Sequence, residues 1–119
     1  MGEHKTPWPM EDRTEEFARR VRAFVRRLPR TVSNVEDVKQ LVRSSGSVAS
    51  NYIEAAEPLG PKDRVSRLKT SRKEAKESRL WLRLVHTRQD RELESERAAL
   101  VGEATELLKI LSRMIDNSS

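Results

Sequence analysis

The sequence predicts an all-α fold, an antiparallel up-down-up-down four-helix bundle. Four successive segments carry aliphatic residues at intervals of three and four, the spacing that places them on one side of a helix. Prolines and glycines fall mainly between these segments. Aromatic residues make up 4 % of the chain and charged residues 36 %. That balance suits narrow aliphatic seams between helices and leaves too little for a β-sandwich core.

A flexible N-terminal tail is expected over residues 1–11, ahead of the first apolar series. The bundle domain is predicted over residues 12–116, and its first helix at about 12–28. Pro29 ends this helix, because the proline ring clashes with the preceding turn. One apolar stripe runs along the helix and consists of Phe17, Val21, Phe24, Val25 and Leu28.

The second helix, predicted at about 34–57, has a recognisable start. Ser33 and Glu36 fit a capping box, in which each side chain accepts a hydrogen bond from the other residue's backbone amide. The helix is expected to end before Pro58. Gly46 lies inside it at a cost of about 1 kcal/mol relative to alanine. This glycine indicates either a weak point in the helix or a close neighbour.

The third helix is predicted at about 62–86, directly after Pro61, a residue that suits a first helical turn. Its inward positions carry mostly small side chains, so a neighbouring helix can approach closely.

No glycine or proline separates the third apolar series from the fourth. One helix across both would measure roughly 80 Å at about 1.5 Å per residue, too long for a compact domain of this size. We therefore predict a turn at about 86–91, capped by Thr87 or Asp90, and a fourth helix at about 92–116. The predicted core of the four helices consists of Phe17, Val21, Phe24, Leu28, Val38, Val42, Ala49, Leu68, Ala75, Leu82, Leu100, Ala104, Leu107 and Leu111.

Several classes of function are excluded or disfavoured by the residues present. The chain has no cysteine, which excludes disulfides, thiolate zinc sites and cysteine nucleophiles. Neither His4 nor His86 has a second histidine or a carboxylate at metal-ligand spacing. We predict no catalytic residues, metal, cofactor or enzyme activity. No apolar run approaches the ~20 residues that cross a bilayer, and no export signal is recognisable, so we expect a cytoplasmic protein without membrane contact.

Charge is unevenly distributed along the chain. Residues 61–91 carry eleven Lys or Arg and four Asp or Glu, a net charge of +7, whereas residues 34–57 and 92–119 carry −2 and −3. Cations occupy about one third of the third helix on a helical wheel. A row of this kind can follow the phosphate backbone of RNA or DNA. Alternatively, the aliphatic stems cover the bundle seam while the charged ends stay in water. The candidate nucleic-acid-binding residues are Lys69, Arg72, Lys73, Lys76, Arg79 and Arg83. Lys62 lies on the same side of the helix, nearer its start.

A second polar stripe runs along the second helix, where small hydroxyl residues alternate with Arg and Asn. Its members are Gln40, Arg43, Ser44, Ser47, Asn51 and Glu54. A solvated face is one interpretation, but such a face usually carries long Lys and Glu pairs. The alternative is that another helix packs closely against this stripe. Our specific prediction is that this helix belongs to a second subunit. The predicted oligomer interface consists of Arg43, Ser47, Asn51, Glu54 and Trp81, the last lying beside the inward stripe of the third helix.

Three stretches resemble one bacterial family: QLVRSSGSVASNYIEA at 40–55, KEAKESRLWLRL at 73–84 and EATELLKIL at 103–111. With Leu28-Pro29 and Leu68-Lys69, they resemble the four-helix bundle family also called the S23 ribosomal protein or 23S rRNA intervening-sequence protein family. The resemblance covers about residues 17–115. The glycine usual in the family's third loop has no counterpart here.

The resemblance implies an antiparallel bundle that assembles into a homopentamer, and it implies no settled activity. We therefore hold two hypotheses. The first is a non-enzymatic oligomeric scaffold or adaptor that also binds a protein partner. The alternative is a nucleic-acid-binding accessory protein, similar to the accessory variability determinant of diversity-generating retroelements, which works beside a reverse transcriptase.

Overall fold

The computed structural model describes residues 9–57 and 59–118, and within them the chain forms four α-helices and no strand. α1 spans Met10–Val25, α2 spans Val32–Ala56, α3 spans Pro61–Leu84 and α4 spans Arg91–Ser118. The predicted all-α class with four helices is confirmed. Of the expected N-terminal tail, residues 1–8 lie outside the described residues, whereas Met10 and Glu11 already belong to α1.

Each helix packs against its neighbours in the chain, and α1 also packs against α4. Among the described residues, no Cα atom of α1 comes within 8 Å of one in α3, and none of α2 within 8 Å of one in α4, so these are the two diagonal pairs. This is the arrangement expected when short loops join consecutive antiparallel helices. The α2–α3 contact is the most extensive of the four, and it fixes how α3 is oriented in the bundle.

The end of α1 comes three residues earlier than predicted, at Val25. The chain then tightens, because the Leu28 amide donates to the Val25 carbonyl at 3.2 Å, the spacing of a 3₁₀ turn. Leu28 still reaches the core and is only 7 % exposed. The tight turn carries Leu28 inward before Pro29 redirects the chain.

The start of α2 shows that the predicted capping box of Ser33 and Glu36 is wrong. Thr31 is the N-cap, and its side chain accepts a hydrogen bond from the Asn34 amide at 3.1 Å. Asn34, in the first turn of the helix, is buried and forms hydrogen bonds with two loops. Its Nδ2 donates to the carbonyls of Pro29 and His86 at 2.9 and 2.8 Å, and its Oδ1 accepts from the His86 amide at 2.8 Å.

The turn between α3 and α4 lies where the length argument placed it, at residues 85–90. Asp90 caps α4, since its Oδ1 accepts from the Leu93 amide at 2.9 Å. Thr87, the other predicted cap, donates instead to the Glu94 carboxylate. A hydrogen bond from Arg97, together with the one from Thr87, holds the pKa of Glu94 below its ordinary value.

The core contains eleven of the fourteen predicted residues. Val38, Val42 and Ala49 are half-buried instead. The inward line of α2 runs through Leu41 and Val48 at seven-residue spacing, and Asn34 occupies the same line at the helix start. The valine-rich side that the sequence pattern selected is therefore turned toward the seam beside α1.

Gly46 has a close neighbour, which was one of its two predicted explanations. A Cβ added at this position would lie 3.3 Å from Nη2 of Arg22. That atom donates to the Val42 carbonyl at 3.4 Å, so the Arg22 side chain crosses from α1 to α2 over the glycine.

Candidate nucleic-acid interface

α3 lies between α2 and α4, so part of its surface is packed and the rest faces solvent. Its inward side is held by small hydroxyl side chains that bond across to α2. Ser78 Oγ lies 2.8 Å from Ser44 Oγ, and Ser71 Oγ donates to the Val48 carbonyl at 2.8 Å. These buried hydrogen bonds fix the rotation of α3 about its axis, and that rotation determines which cations point outward.

The six candidate cations of α3 do not share one environment. Arg72 and Arg79 are half-buried and turn toward α4, where they donate to Ser112 Oγ at 3.2 Å and Thr105 Oγ1 at 3.1 Å. For these two, the alternative role of covering the bundle seam fits the structure. The other four are exposed, namely Lys69, Lys73, Lys76 and Arg83.

Lys62 is also exposed and extends this row toward the start of α3. We call Lys62, Lys69, Lys73, Lys76 and Arg83 the basic row. Within the described parts of the chain, no ion pair or side-chain hydrogen bond joins any of its members to another residue. Several cations on other helices are paired, for example Arg13 with Glu103 at 2.7 Å. The positive charge of the basic row is therefore not neutralised by the described residues.

Two open grooves follow the basic row. The larger, of about 670 Å³, lies along the first half of α3, and the smaller, of about 420 Å³, lies along the second half. The larger is lined by Pro61, Lys62, Val65, Ser66, Lys69, Thr70, Lys73 and Ser118. The smaller is lined by Lys73, Lys76, Glu77, Arg79, Leu80 and Arg83. From Lys62 to Arg83 the row is roughly 30 Å long at about 1.5 Å per residue.

Aromatic side chains do not accompany the basic row in the part of the chain that the structure describes. Phe17 and Phe24 are buried, and Tyr52 and Trp81 are half-buried against the two core clusters. Proteins that bind single strands without sequence preference stack bases on exposed aromatics. The basic row offers charge and a straight helix surface instead.

Two of the predicted interface residues of α2, Arg43 and Asn51, have partners in the same chain. Arg43 Nη1 lies 3.7 Å from Glu74 Oε1, and its Nη2 lies 3.6 Å from Glu77 Oε1. Asn51 donates to the Ser47 carbonyl at 2.9 Å, one turn back on the same helix. Ser44 faces α3, so the helix that approaches the small residues at this position is a helix of the same chain. Glu54 is exposed and Trp81 packs against the main core cluster.

Sequence reasoning missed two sets of atoms near these residues. The first set is apolar and exposed: Leu80 and Leu84 on α3 are 47 % and 53 % exposed. In the sequence, both leucines lie outside the repeat of small residues that forms the inward side of the third helix, and this position could have identified them as exposed. The second set consists of Glu74 Oε1 and Trp81 Nε1, which are buried without a hydrogen-bond partner. No sequence pattern signals an unsatisfied atom, because it depends on the packing of two helices.

Residues 9–57 and 59–118 contain neither a metal-ion cluster nor a membrane-spanning helix. No three His, Asp or Glu residues there lie close enough together to hold a metal ion. None of the described helices is both long and apolar enough to cross a membrane.

Comparison with known proteins gives one family and one similar solved structure. The family model described as 23S rRNA-intervening sequence protein matches residues 10–113. The fold is similar to the crystal structure of a protein with unknown function from the S23 ribosomal protein family of Bacteroides thetaiotaomicron VPI-5482. The TM-score is 0.76 and the sequence identity 28 %, over 90 % of this chain and 98 % of that one. No curated protein matches the chain.

Proposed function

This chain belongs to the 23S rRNA-intervening sequence protein family, and we propose that it is a non-enzymatic protein that binds nucleic acid through the basic row of α3. The family recognised from the sequence motifs is thereby confirmed, and the function is our proposal. The observation that carries it is the basic row itself, whose exposed cations have no ion-pair partner among the described residues. Lysine and arginine in this state gain affinity for a polyanion by releasing its condensed counterions.

Binding of this kind is led by charge and shape. Phosphate contacts position a protein on nucleic acid but carry no sequence information. A straight row of roughly 30 Å suits the regular backbone of a duplex or of structured RNA. No exposed aromatic lies beside it among the described residues, which disfavours single strands. We therefore expect little preference among sequences and stronger binding to double-stranded than to single-stranded probes.

The test uses the three lysines that line the larger groove. Replacing Lys62, Lys69 and Lys73 with glutamine removes three phosphate contacts, so affinity for a duplex should fall roughly tenfold or more at low salt. The measurement is fluorescence anisotropy with labelled duplex DNA and structured RNA, each in several sequences. All probes should weaken alike, because no base is read.

A matched control removes the same charge elsewhere. Arg26→Gln, Lys39→Gln and Arg91→Gln change exposed cations of the other three helices and their ends, and they should alter affinity by less than the α3 triple. Equal losses in the two triples, or a wild-type protein that shifts neither RNA nor DNA at low salt, would contradict the proposal. Circular dichroism checks that both triples keep their helical content.

A self-associating scaffold is the second candidate function. The observation that favours it is the polar stripe of α2, in which Ser47 and Asn51 are only half-buried and Glu54 is exposed. Small side chains on an open helix face allow a second copy to approach closely, which supports a contact between copies. The family resemblance favours a homopentamer, and we keep that number as part of this proposal.

Light scattering tests the scaffold. The wild type should give several times the chain mass of 13.7 kDa. Ser47→Arg should shrink the particle, because it adds bulk and an unpaired cation at the proposed contact. Ser95→Arg, the same change at an exposed site of α4, should leave the particle size unchanged. A monomeric wild type across micromolar concentrations would overturn self-association.

A further inference from the structure

The second half of α3 exposes an apolar pair inside a basic surrounding. Leu80 and Leu84, one turn apart, are 47 % and 53 % exposed. Lys76 and Arg83 flank them and form no ion pair with described residues. Leu80 also lines the smaller groove of about 420 Å³. We call Leu80, Leu84, Lys76 and Arg83 the leucine patch.

The end of α2 carries a surface of complementary composition. Ile53 is 46 % exposed and Leu59, in the following loop, is 97 % exposed. Glu54 and Glu57 are exposed beside them and form no ion pair with any residue that the structure describes. We call Ile53, Leu59, Glu54 and Glu57 the acidic patch. Each patch thus has two exposed apolar side chains and two unpaired charges, and the charges of the two patches are opposite in sign.

The leucine patch lies in the second half of α3, which packs beside the middle of α2, because Ser78 Oγ lies 2.8 Å from Ser44 Oγ. The end of α2 lies instead beside the start of α3, since Arg64 Nη1 donates to the Ala55 carbonyl at 3.1 Å. The two patches are therefore separated along the α2–α3 pair.

The acidic patch faces a different direction. Ile53 lies eighteen residues after Val35, about five full turns, so the two share one side of α2. Val35 lines a groove together with Val25 and Leu28 of the α1 end, which places that side toward α1. Within one molecule the acidic patch and the leucine patch therefore do not meet.

We infer that the leucine patch of one copy docks onto the acidic patch of a second copy. Leu80 and Leu84 cover Ile53 and Leu59, while Lys76 and Arg83 pair with Glu54 and Glu57. Because the two patches differ and face apart, the contact is head-to-tail, and repeating it generates a closed ring or a filament. The inference rests on the proposed self-association, and the acidic patch shares Glu54 with the interface residues predicted on α2.

Charge complementarity selects a second copy as the occupant. Opposite charges facing across an interface steer the encounter and suppress wrong partners, while like charges oppose it. The contact would occupy Lys76 and Arg83 and leave Lys62, Lys69 and Lys73 of the larger groove free for phosphates. Self-association and nucleic-acid binding would then use separate halves of α3.

The test exchanges the charges of the two patches. Lys76→Glu with Arg83→Glu makes both patches negative, and Glu54→Lys with Glu57→Lys makes both positive. Each double variant should lose assembly, so its mass in light scattering should fall toward 13.7 kDa. Combining all four substitutions in one chain restores opposite signs and should restore the wild-type mass. In a mixture of the two double variants, unlike chains should associate, because each supplies the partner that the other lacks. A five-membered ring cannot alternate two kinds of chain, so the mixture should give even-numbered assemblies rather than the wild-type mass.

An apolar variant and a control complete the experiment. Leu80→Ser with Leu84→Ser should also lower the mass, although the charge does not change. Arg26→Glu with Arg91→Glu reverses two exposed cations away from both patches and should leave the mass at the wild-type value.

The possible outcomes distinguish a failure of this inference from a failure of the proposed self-association. A wild type that is monomeric at micromolar concentration overturns self-association and the inference together. An oligomer whose mass none of the patch variants changes overturns the inference alone and assigns the leucines to another occupant. Loss of assembly in both double variants without rescue in the fourfold variant contradicts the pairing of the two patches.

Discussion

At the scale of single residues, the α3–α4 loop contains an uncommon conformation. Arg88 and Gln89 have φ angles of 56° and 62°, the left-handed region that favours glycine. This conformation costs an L-residue with a side chain roughly 1–2 kcal/mol. The surrounding bonds hold it in place: the Gln89 amide donates to Thr87 Oγ1 at 3.3 Å, and the Asp90 amide donates to the Thr87 carbonyl at 3.1 Å.

Gln89→Gly should stabilise the protein by about 0.5–1 kcal/mol, because relief of the left-handed strain exceeds the added entropy of the unfolded chain. Urea denaturation followed by circular dichroism measures the change. Gln40→Gly, the same substitution at an exposed position of α2, should instead destabilise by about 1 kcal/mol. Equal destabilisation by the two substitutions would show that Gln89 does not hold a left-handed conformation.

At the scale of the helices, α2 departs most from the sequence pattern. Its apolar residues are spread around the helix, and the side that faces the core includes Asn34 and the buried serines Ser44 and Ser45. The most apolar stripe of α2, which includes Val38 and Val42, is therefore rotated away from the side that faces the core, which includes Leu41. The hydrogen bonds that set that line join residues far apart in the chain, such as Ser71 with Val48.

This register gives a direct prediction for two adjacent residues. Leu41 is fully buried and Val42 is half-buried. Leu41→Ala should cost roughly 2–5 kcal/mol, because it leaves a cavity in the core. Val42→Ala should cost less, about 1 kcal/mol, because part of its side chain is already in contact with water and the substitution removes two carbon atoms rather than three. Denaturant titration of the two variants compares them, and similar costs would mean that α2 is rotated from the described register.

The sequence predicts the fold more completely than it predicts the candidate site. The number of helices and the position of the third loop follow from apolar spacing and chain length, which are local properties. The cations of α3 were also recognised, because a helical wheel groups them. The sequence did not show which of these cations are exposed and which turn toward α4. Arg79, for example, turns to Thr105, twenty-six residues away, and such a contact exists only after α3 and α4 pack.

At the scale of the whole molecule, the net charge of +5 is concentrated rather than spread evenly. The basic row lies on one exposed side of α3, while acidic residues are exposed at the end of α2 and on α4. Such an arrangement suits a protein that holds a polyanion on one surface and meets copies of itself through others. If copies assemble, each repeats the same row, and linked weak contacts raise avidity by about 10²–10⁴.

If the basic row binds a phosphate backbone, the affinity for a duplex must fall as salt rises. Each phosphate contact contributes about −0.9 to the slope of log K against log salt. Between about 50 and 200 mM salt, we expect a slope of about −3 or steeper for the wild type. We expect that slope to become shallower by about 2–3 when Lys62, Lys69 and Lys73 are replaced with glutamine. A slope near zero, or one that the three substitutions leave unchanged, would show that the basic row does not bind phosphates.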